Sequence, residues 1–307
     1  EGGALTVLFR VVFGFPWPVA GLAAFVLAAV SPAVVVPSML ALMEKGYGRK
    51  NEVPATVLAG ASLDNILAIT VITVFLQAAT AGDVPVAKVL LGIPLSLLLG
   101  ILPGILLGFV LVWFFRHQFT SIRATEKALI LLMIAMVLVQ VGNWLQSAAL
   151  LGVMTIGFIL LEKEERVAHE LSHKFARLWV VAEILLFVLI GMAVDLRAAL
   201  AAGARGLLVI TLGLSFRSLG VLLATLGSRL TKKERLFCVV ANLPKATVQA
   251  ALGGAALAAG IPGGATILAV AVLAIVFTTP LGLVGLKFSG KRLLDVELSG
   301  DGRTDRG

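Results

Sequence analysis

Ser31-Pro32-Ala33-Val34-Val35-Val36-Pro37 interrupts the centre of an apolar run that extends from Pro18 to Met43. Proline removes a backbone donor and clashes with the turn before it, so this run is predicted to be a membrane span unwound at its middle. A second run, Leu236–Gly260, carries Asn242-Leu243-Pro244-Lys245-Ala246-Thr247 at its own centre. Each broken run is the middle of three: Gly2–Phe15, Pro18–Met43, Pro54–Ala79, and then Gly206–Gly227, Leu236–Gly260, Gly264–Leu286. One proline kink means little in a membrane helix. Two breaks at matching places in triplets of opposite orientation are the pattern of an inverted-repeat transporter.

Composition agrees. The 307 residues are 59% hydrophobic and 14% charged, with a mean hydropathy of +1.05. Further apolar runs cover Pro94–Phe115, Lys127–Asn143, Ser147–Leu161 and Leu178–Val194. The expected class is therefore an all-α polytopic membrane protein with no sizeable soluble domain. A single cysteine, Cys238, excludes an internal disulfide. Gly2–Phe15 is too short to span and reads as the tail of a longer helix, with earlier helices expected to be missing. Val84–Gly92 reads as an amphipathic lead-in and Asp301–Gly307 as a polar tail. The expected layout is a first part of an ion-transporting core at 1–80, linker and dimer or gate helices at 81–204, the inverted second part of the core at 205–290, and a tail at 291–307.

The net charge of +8 reflects topology rather than nucleic-acid binding. Alternate connections hold Lys45, Arg49 and Lys50; Arg116, Arg123 and Lys127; Lys163, Arg166, Lys174 and Arg177; Arg229, Lys232, Lys233 and Arg235; and the C-terminal Lys287, Lys291, Arg292, Arg303 and Arg306. The opposite connections hold only Lys88, Arg197 and Arg205. Basic residues mark the cytoplasmic side, which predicts a plasma or inner membrane protein with a cytoplasmic C-terminus.

Few charges fall inside the spans, and such charges are usually functional. Of the 17 acidic residues, Asp64 and Glu183 do so; Arg217 and Lys245 are basic counterparts. Asp64 lies in Ala61-Ser62-Leu63-Asp64-Asn65-Ile66-Leu67, near mid-membrane at ~1.5 Å per residue. Burial raises a carboxylate's pKa and a nearby cation lowers it, so such a group can release a proton as a metal cation enters. Alternatively, Asp64 and Arg217 form a salt bridge that only holds helices together. Free carbonyls at the first break are candidate cation ligands, and Lys245 is expected to offset the negative half-helix end at the second. Arg217, Lys245 and Glu183 are the expected charge-compensating groups.

At these residues the chain resembles the monovalent cation:proton antiporter superfamily, and most of all its NHA-type sodium/proton branch. The segments that carry the resemblance are Val30–Leu40, Ala61–Ile69, Leu185–Leu196, Phe216–Gly220 and Leu243–Gly254. It implies two crossed broken helices in a mobile core and a second domain that forms a homodimer interface. It also implies exchange of Na⁺ or Li⁺, with K⁺ as an alternative, for H⁺ by alternating access. The implied ion-binding pair is Asp64 and Asn65. The implied broken-helix site comprises Ser31, Pro32, Ala33, Val34, Pro244, Lys245 and Thr247. The family's dipeptide is usually Asp-Asp or Asn-Asp, with the second acid on the ion; here it is Asp64-Asn65. A single carboxylate beside Arg217 favours one-for-one electroneutral exchange.

His169-Glu170-Leu171-Ser172-His173 matches a zinc-protease pattern, two His one turn apart with a Glu to activate water. A membrane metalloprotease is therefore the rival reading, and a transport-inactive membrane protein is another. Against the protease, Glu162–Arg177 is densely charged, and Asp195, the candidate third ligand, is predicted on the opposite membrane face. No cofactor is expected, and no phosphate-binding G-x-x-x-x-G-K-[ST] loop occurs.

Overall fold

A computed structural model describes residues 1–80, 86–117, 123–144, 149–193 and 196–296. The expected lead-in at Val84–Gly92, the tail, Asp195 and the Glu183 side chain lie wholly or largely outside the described residues. Those described form twelve α-helices: α1 (Gly2–Phe13), α2 (Trp17–Ala28), α3 (Pro32–Glu44), α4 (Val53–Thr80), α5 (Val86–His117), α6 (Ala124–Trp144), α7 (Ala149–Lys163), α8 (Glu165–Ala193), α9 (Leu196–Ala224), α10 (Lys232–Ala241), α11 (Thr247–Ala258) and α12 (Gly264–Leu293). Among them, six stretches are long and apolar enough to cross a membrane, one being Trp17–Glu44 taken across its break. The chain divides into two compact units, Glu1–Asn65 with Val194–Gly307, and Ile66–Ala193.

Both predicted breaks are present in the first unit. Between α2 and α3 the chain is extended at Ala29 and Ser31. Pro32 then opens α3 at its first turn, where its missing N–H costs nothing. Pro37 lies one turn further in, inside the helix. The interruption therefore falls at Ala29–Ser31, and Ala33–Val36 are already helical. Between α10 and α11 the chain leaves the helix at Asn242 and re-enters at Thr247. Pro244 rests on α12 at Gly282, where any side chain would collide with the proline ring. α12 packs along α9, α10 and α11 and also meets α2 and α3.

The second unit is a bundle of α5–α8 with the second half of α4. Its core gathers Leu111, Phe115, Leu138, Ile156, Leu160 and Leu171. α5 and α7 approach closely because Gly104 faces Gly152: a Cβ on Gly104 would lie 2.5 Å from the Gly152 carbonyl oxygen. Small residues let membrane helices pack backbone to backbone in this way. The densely charged stretch from Glu165 to Arg177 is continuous with the following apolar run as α8.

Candidate ion site at the helix breaks

The two breaks touch. A half-helix end leaves backbone groups without intrahelical partners, and burying them unpaired is costly. Four such groups at the first break are the carbonyls of Ala28 and Ala29 and the N–H groups of Val30 and Ser31. Each finds a partner from elsewhere in the chain. Ser31 N–H donates to the Pro244 carbonyl at 3.0 Å, which joins one break to the other. Gln249, fully buried on α11, donates to the Ala29 carbonyl and accepts from Ala246 N–H, so one side chain serves both breaks. Val30 N–H donates to Asp64 Oδ2 at 3.1 Å. The Ala28 carbonyl accepts from Arg217 Nη1 at 2.7 Å and from Lys245 Nζ at 2.9 Å.

The second break is closed by α12. Lys245 N–H donates to Thr278 Oγ1 at 2.9 Å, and Thr279 donates back to the Lys245 carbonyl. Lys245 therefore has a tightly held backbone, and its ammonium crosses to the negative end of α2. This is the half-helix end at the first break rather than the one in its own segment.

Four charges form one cluster. Arg217 Nη2 lies 3.0 Å from Asp64 Oδ2, and Arg217 Nη1 lies 2.7 Å from Glu1 Oε2. Lys245 Nζ lies 3.1 Å from both Glu1 oxygens. Arg217 Nη2 also donates to Asn242 Oδ1 at 3.2 Å. Side-chain exposure is 6% for Glu1, 8% for Arg217 and 2% for Lys245, but 30% for Asp64. Two carboxylates and two cations balance, as buried charges must. The most exposed of the four is Asp64.

Three buried polar atoms of residues in or next to this cluster have no hydrogen-bond partner: Asn65 Oδ1, Ser31 Oγ and Arg217 Nε. Ser31 follows Val30, whose N–H is held by Asp64, so both oxygens belong to residues adjoining the Asp64–Val30 contact. Pro32, Ala33 and Val34 form the first turn of α3, and Thr247 the first turn of α11.

Sequence reasoning did not identify Glu1 and Gln249. Glu1 lies just outside the first apolar run, yet Leu5 and Phe9, one and two turns on, are both fully buried. That i, i+4, i+8 stripe is the available signal that Glu1 faces inward. Glu183 belongs to α8, in the other unit, and its side chain is not among those described.

On α8, His169 is exposed and its Nε2 lies 3.6 Å from Glu165. Glu170 lies 3.7 Å from Arg166. No group of three metal-ligating side chains occurs among the described residues.

Residues 2–288 match the family described as "Sodium/hydrogen exchanger, transmembrane". The chain is 35% identical over 305 residues to human sodium/hydrogen exchanger 9B2, covering 96% of this chain and 56% of that protein. It is 32% identical over 304 residues to sodium/hydrogen exchanger 9B1 of Macaca fascicularis, covering 96% and 59% respectively. The chain thus spans somewhat over half the length of these curated relatives. Its fold is that of the sodium proton antiporter MjNhaP1 from Methanocaldococcus jannaschii, with a TM-score of 0.73 and 21% identity over 95% of this chain and 76% of that one.

Proposed function

We infer the function from one premise: the chain belongs to the transmembrane sodium/hydrogen exchanger family. It is a multi-pass secondary transporter that exchanges a monovalent cation, Na⁺ or Li⁺ first and K⁺ as an alternative, for protons by alternating access. Asp64 is the carboxylate that carries cation and proton in turn. Asn65 Oδ1 and Ser31 Oγ are neutral oxygen ligands, and the native protein is a homodimer in the cell membrane with a cytoplasmic C-terminus.

The observation that carries this reading is the state of Asp64. It is the most exposed member of an otherwise buried charge cluster, and Asn65, next to it in the chain, and Ser31, next to its partner Val30, each carry a buried oxygen without a hydrogen-bond partner. A cation entering from water loses hydration and needs oxygen donors to replace it. A carboxylate with two neutral oxygens is a hard-ligand set suited to such an ion. When Asp64 turns to the cation or takes up a proton, Arg217 keeps Glu1, Asn242 and the Ala28 carbonyl. Release of Asp64 therefore leaves the Arg217 guanidinium still hydrogen-bonded, although Glu1 then faces both Arg217 and Lys245. Arg217 stays protonated throughout and cannot carry the proton itself. One titrating carboxylate supports one cation for one proton.

The test is cation-driven proton flux in proteoliposomes of the full natural protein. Asp64→Asn is nearly isosteric and removes only the charge. Flux is expected to vanish while detergent melting stays that of a folded protein. Undiminished exchange in that variant would exclude Asp64 as the carrier.

A further inference from the structure

We propose that the groove between the C-terminal halves of α3 and α12 binds the headgroup of an anionic phospholipid. The groove encloses a cavity of about 460 Å³, within the usual range for ligand sites. Lys45 from the end of α3, Lys287 and Lys291 from one face of α12, and Tyr47 from the connection after α3 all line it. The three lysines are exposed, and none makes an ion pair among the described residues. Three unpaired ammonium groups around one cavity repel one another, so the arrangement is stabilised by a bound anion. The hydroxyl of Tyr47 can add a neutral hydrogen bond.

The remaining walls are apolar and decide what kind of anion fits. Leu42, Leu283 and Val284 line the cavity, and Leu283 and Val284 are about half exposed. Leu281 and Phe288, further along α12, are 70% and 60% exposed. A free phosphate would leave this apolar surface bare. A phospholipid places its phosphate among the lysines and an acyl chain along the α12 leucines. The stretch that follows Val296, Glu297–Gly307, is a weaker occupant: it mixes three acids with two arginines and offers one large apolar residue, Leu298. Basic pockets between membrane helices on the Lys- and Arg-rich side are the setting in which anionic headgroups bind.

The site joins two parts of the first unit. α3 begins just after Ser31, and the connection that follows it is already tied to the segment after α12 by the Tyr47–Val296 bridge and by Gly48 N–H donating to the Asp295 carbonyl at 2.8 Å. A headgroup bridging Lys45 to Lys287 and Lys291 reinforces that junction. It should therefore raise thermal stability by mass action.

The experiment titrates delipidated, detergent-purified protein with dioleoyl phosphatidylglycerol, dioleoyl phosphatidylcholine and inorganic phosphate. Thermal shift and lipid retention by native mass spectrometry are read together. Phosphatidylglycerol is expected to raise the melting temperature by several degrees and remain bound; the other two are not. The triple change Lys45→Gln, Lys287→Gln, Lys291→Gln should weaken that response at least ten-fold without lowering the lipid-free melting temperature, since it removes the repulsion among the three ammonium groups. Val284→Trp, which fills the groove and keeps the lysines, should weaken it too. An equal response to phosphate alone, an unaltered response in both variants, or a response seen only after removal of Glu297–Gly307 would each overturn the proposal.

Discussion

Arg217 and Glu1, 216 residues apart in the chain, meet at 2.7 Å in the buried centre of the first unit. The same guanidinium nitrogen also donates to the Ala28 carbonyl, and the other terminal nitrogen reaches Asp64 and Asn242. One planar group thus ties three helices and a helix break together, which a fork of fixed donors can do and a point charge cannot.

Replacing that group should be severe. Arg217→Ala leaves Glu1 with Lys245 alone and Asp64 with no cation, a loss of about 3–5 kcal/mol for breaking a buried pair. The expected result is a large drop in melting temperature in detergent and loss of flux. Arg217→Lys should fold with a smaller loss and allow exchange that responds to an imposed membrane potential, because a lysine can deprotonate. An Arg217→Ala protein as stable and as active as the parent would rule out this role.

Asn65→Asp places a second acid next to Asp64 at a position only 6% exposed. Two neighbouring carboxylates cannot both ionise freely, and one pKa rises. Cation affinity is expected to increase several-fold, and transport to become sensitive to membrane potential. Calorimetric Na⁺ titration and flux at clamped potential measure the two effects. No change in either would place Asn65 outside the site.

Asn51 and Glu234 offer a stability test away from the ion site. Glu234 is buried, closes a capping box with Thr231 at the start of α10, and accepts both 3.0 and 2.9 Å bonds from the Asn51 amide. Burial pushes its pKa up, but the Thr231 and Asn51 hydrogen bonds and the Lys50 charge outweigh it and hold the carboxyl below its ordinary 4.5. A depressed carboxylate contributes stability above its unfolded pKa and loses it as pH falls through the folded value. Melting temperature should therefore fall below about pH 4.5 in the parent, and this acid-sensitive part should shrink in Glu234→Gln. Asn51→Ala should cost about 1.5–3 kcal/mol at neutral pH, the range for a hydrogen bond to a charged group. A parent and Glu234→Gln with the same acid dependence would contradict the assignment.

His169 and His173 give the fourth expectation. Both are exposed on α8. Changing both to Ala should leave cation-driven flux within about two-fold, since surface changes usually cost under ~0.5 kcal/mol. Elemental analysis of the parent should find no stoichiometric zinc; one tightly held zinc per chain would revive the protease reading.

Much of this protein was legible locally. Pro32 and Pro244 within apolar runs determine that two helices break, because a missing N–H and a ring clash act within one turn of the residue that causes them. Asp64, Arg217 and Lys245 stand out because charge inside an apolar run is costly wherever the run ends up. Which charges meet was not legible. Glu183 lies within an apolar run and Glu1 just outside one, yet the described cluster uses Glu1. What brings Glu1 in is the buried Leu5–Phe9 face of α1, which acquires direction only when α2 and α9 pack on that helix. The reach of Lys245 to the Ala28 carbonyl, and the single Gln249 side chain that serves both breaks, join residues more than two hundred positions apart. Proline geometry and charge cost are properties of a residue and its near neighbours. Partner choice depends on where helices cross, and only the folded chain sets that.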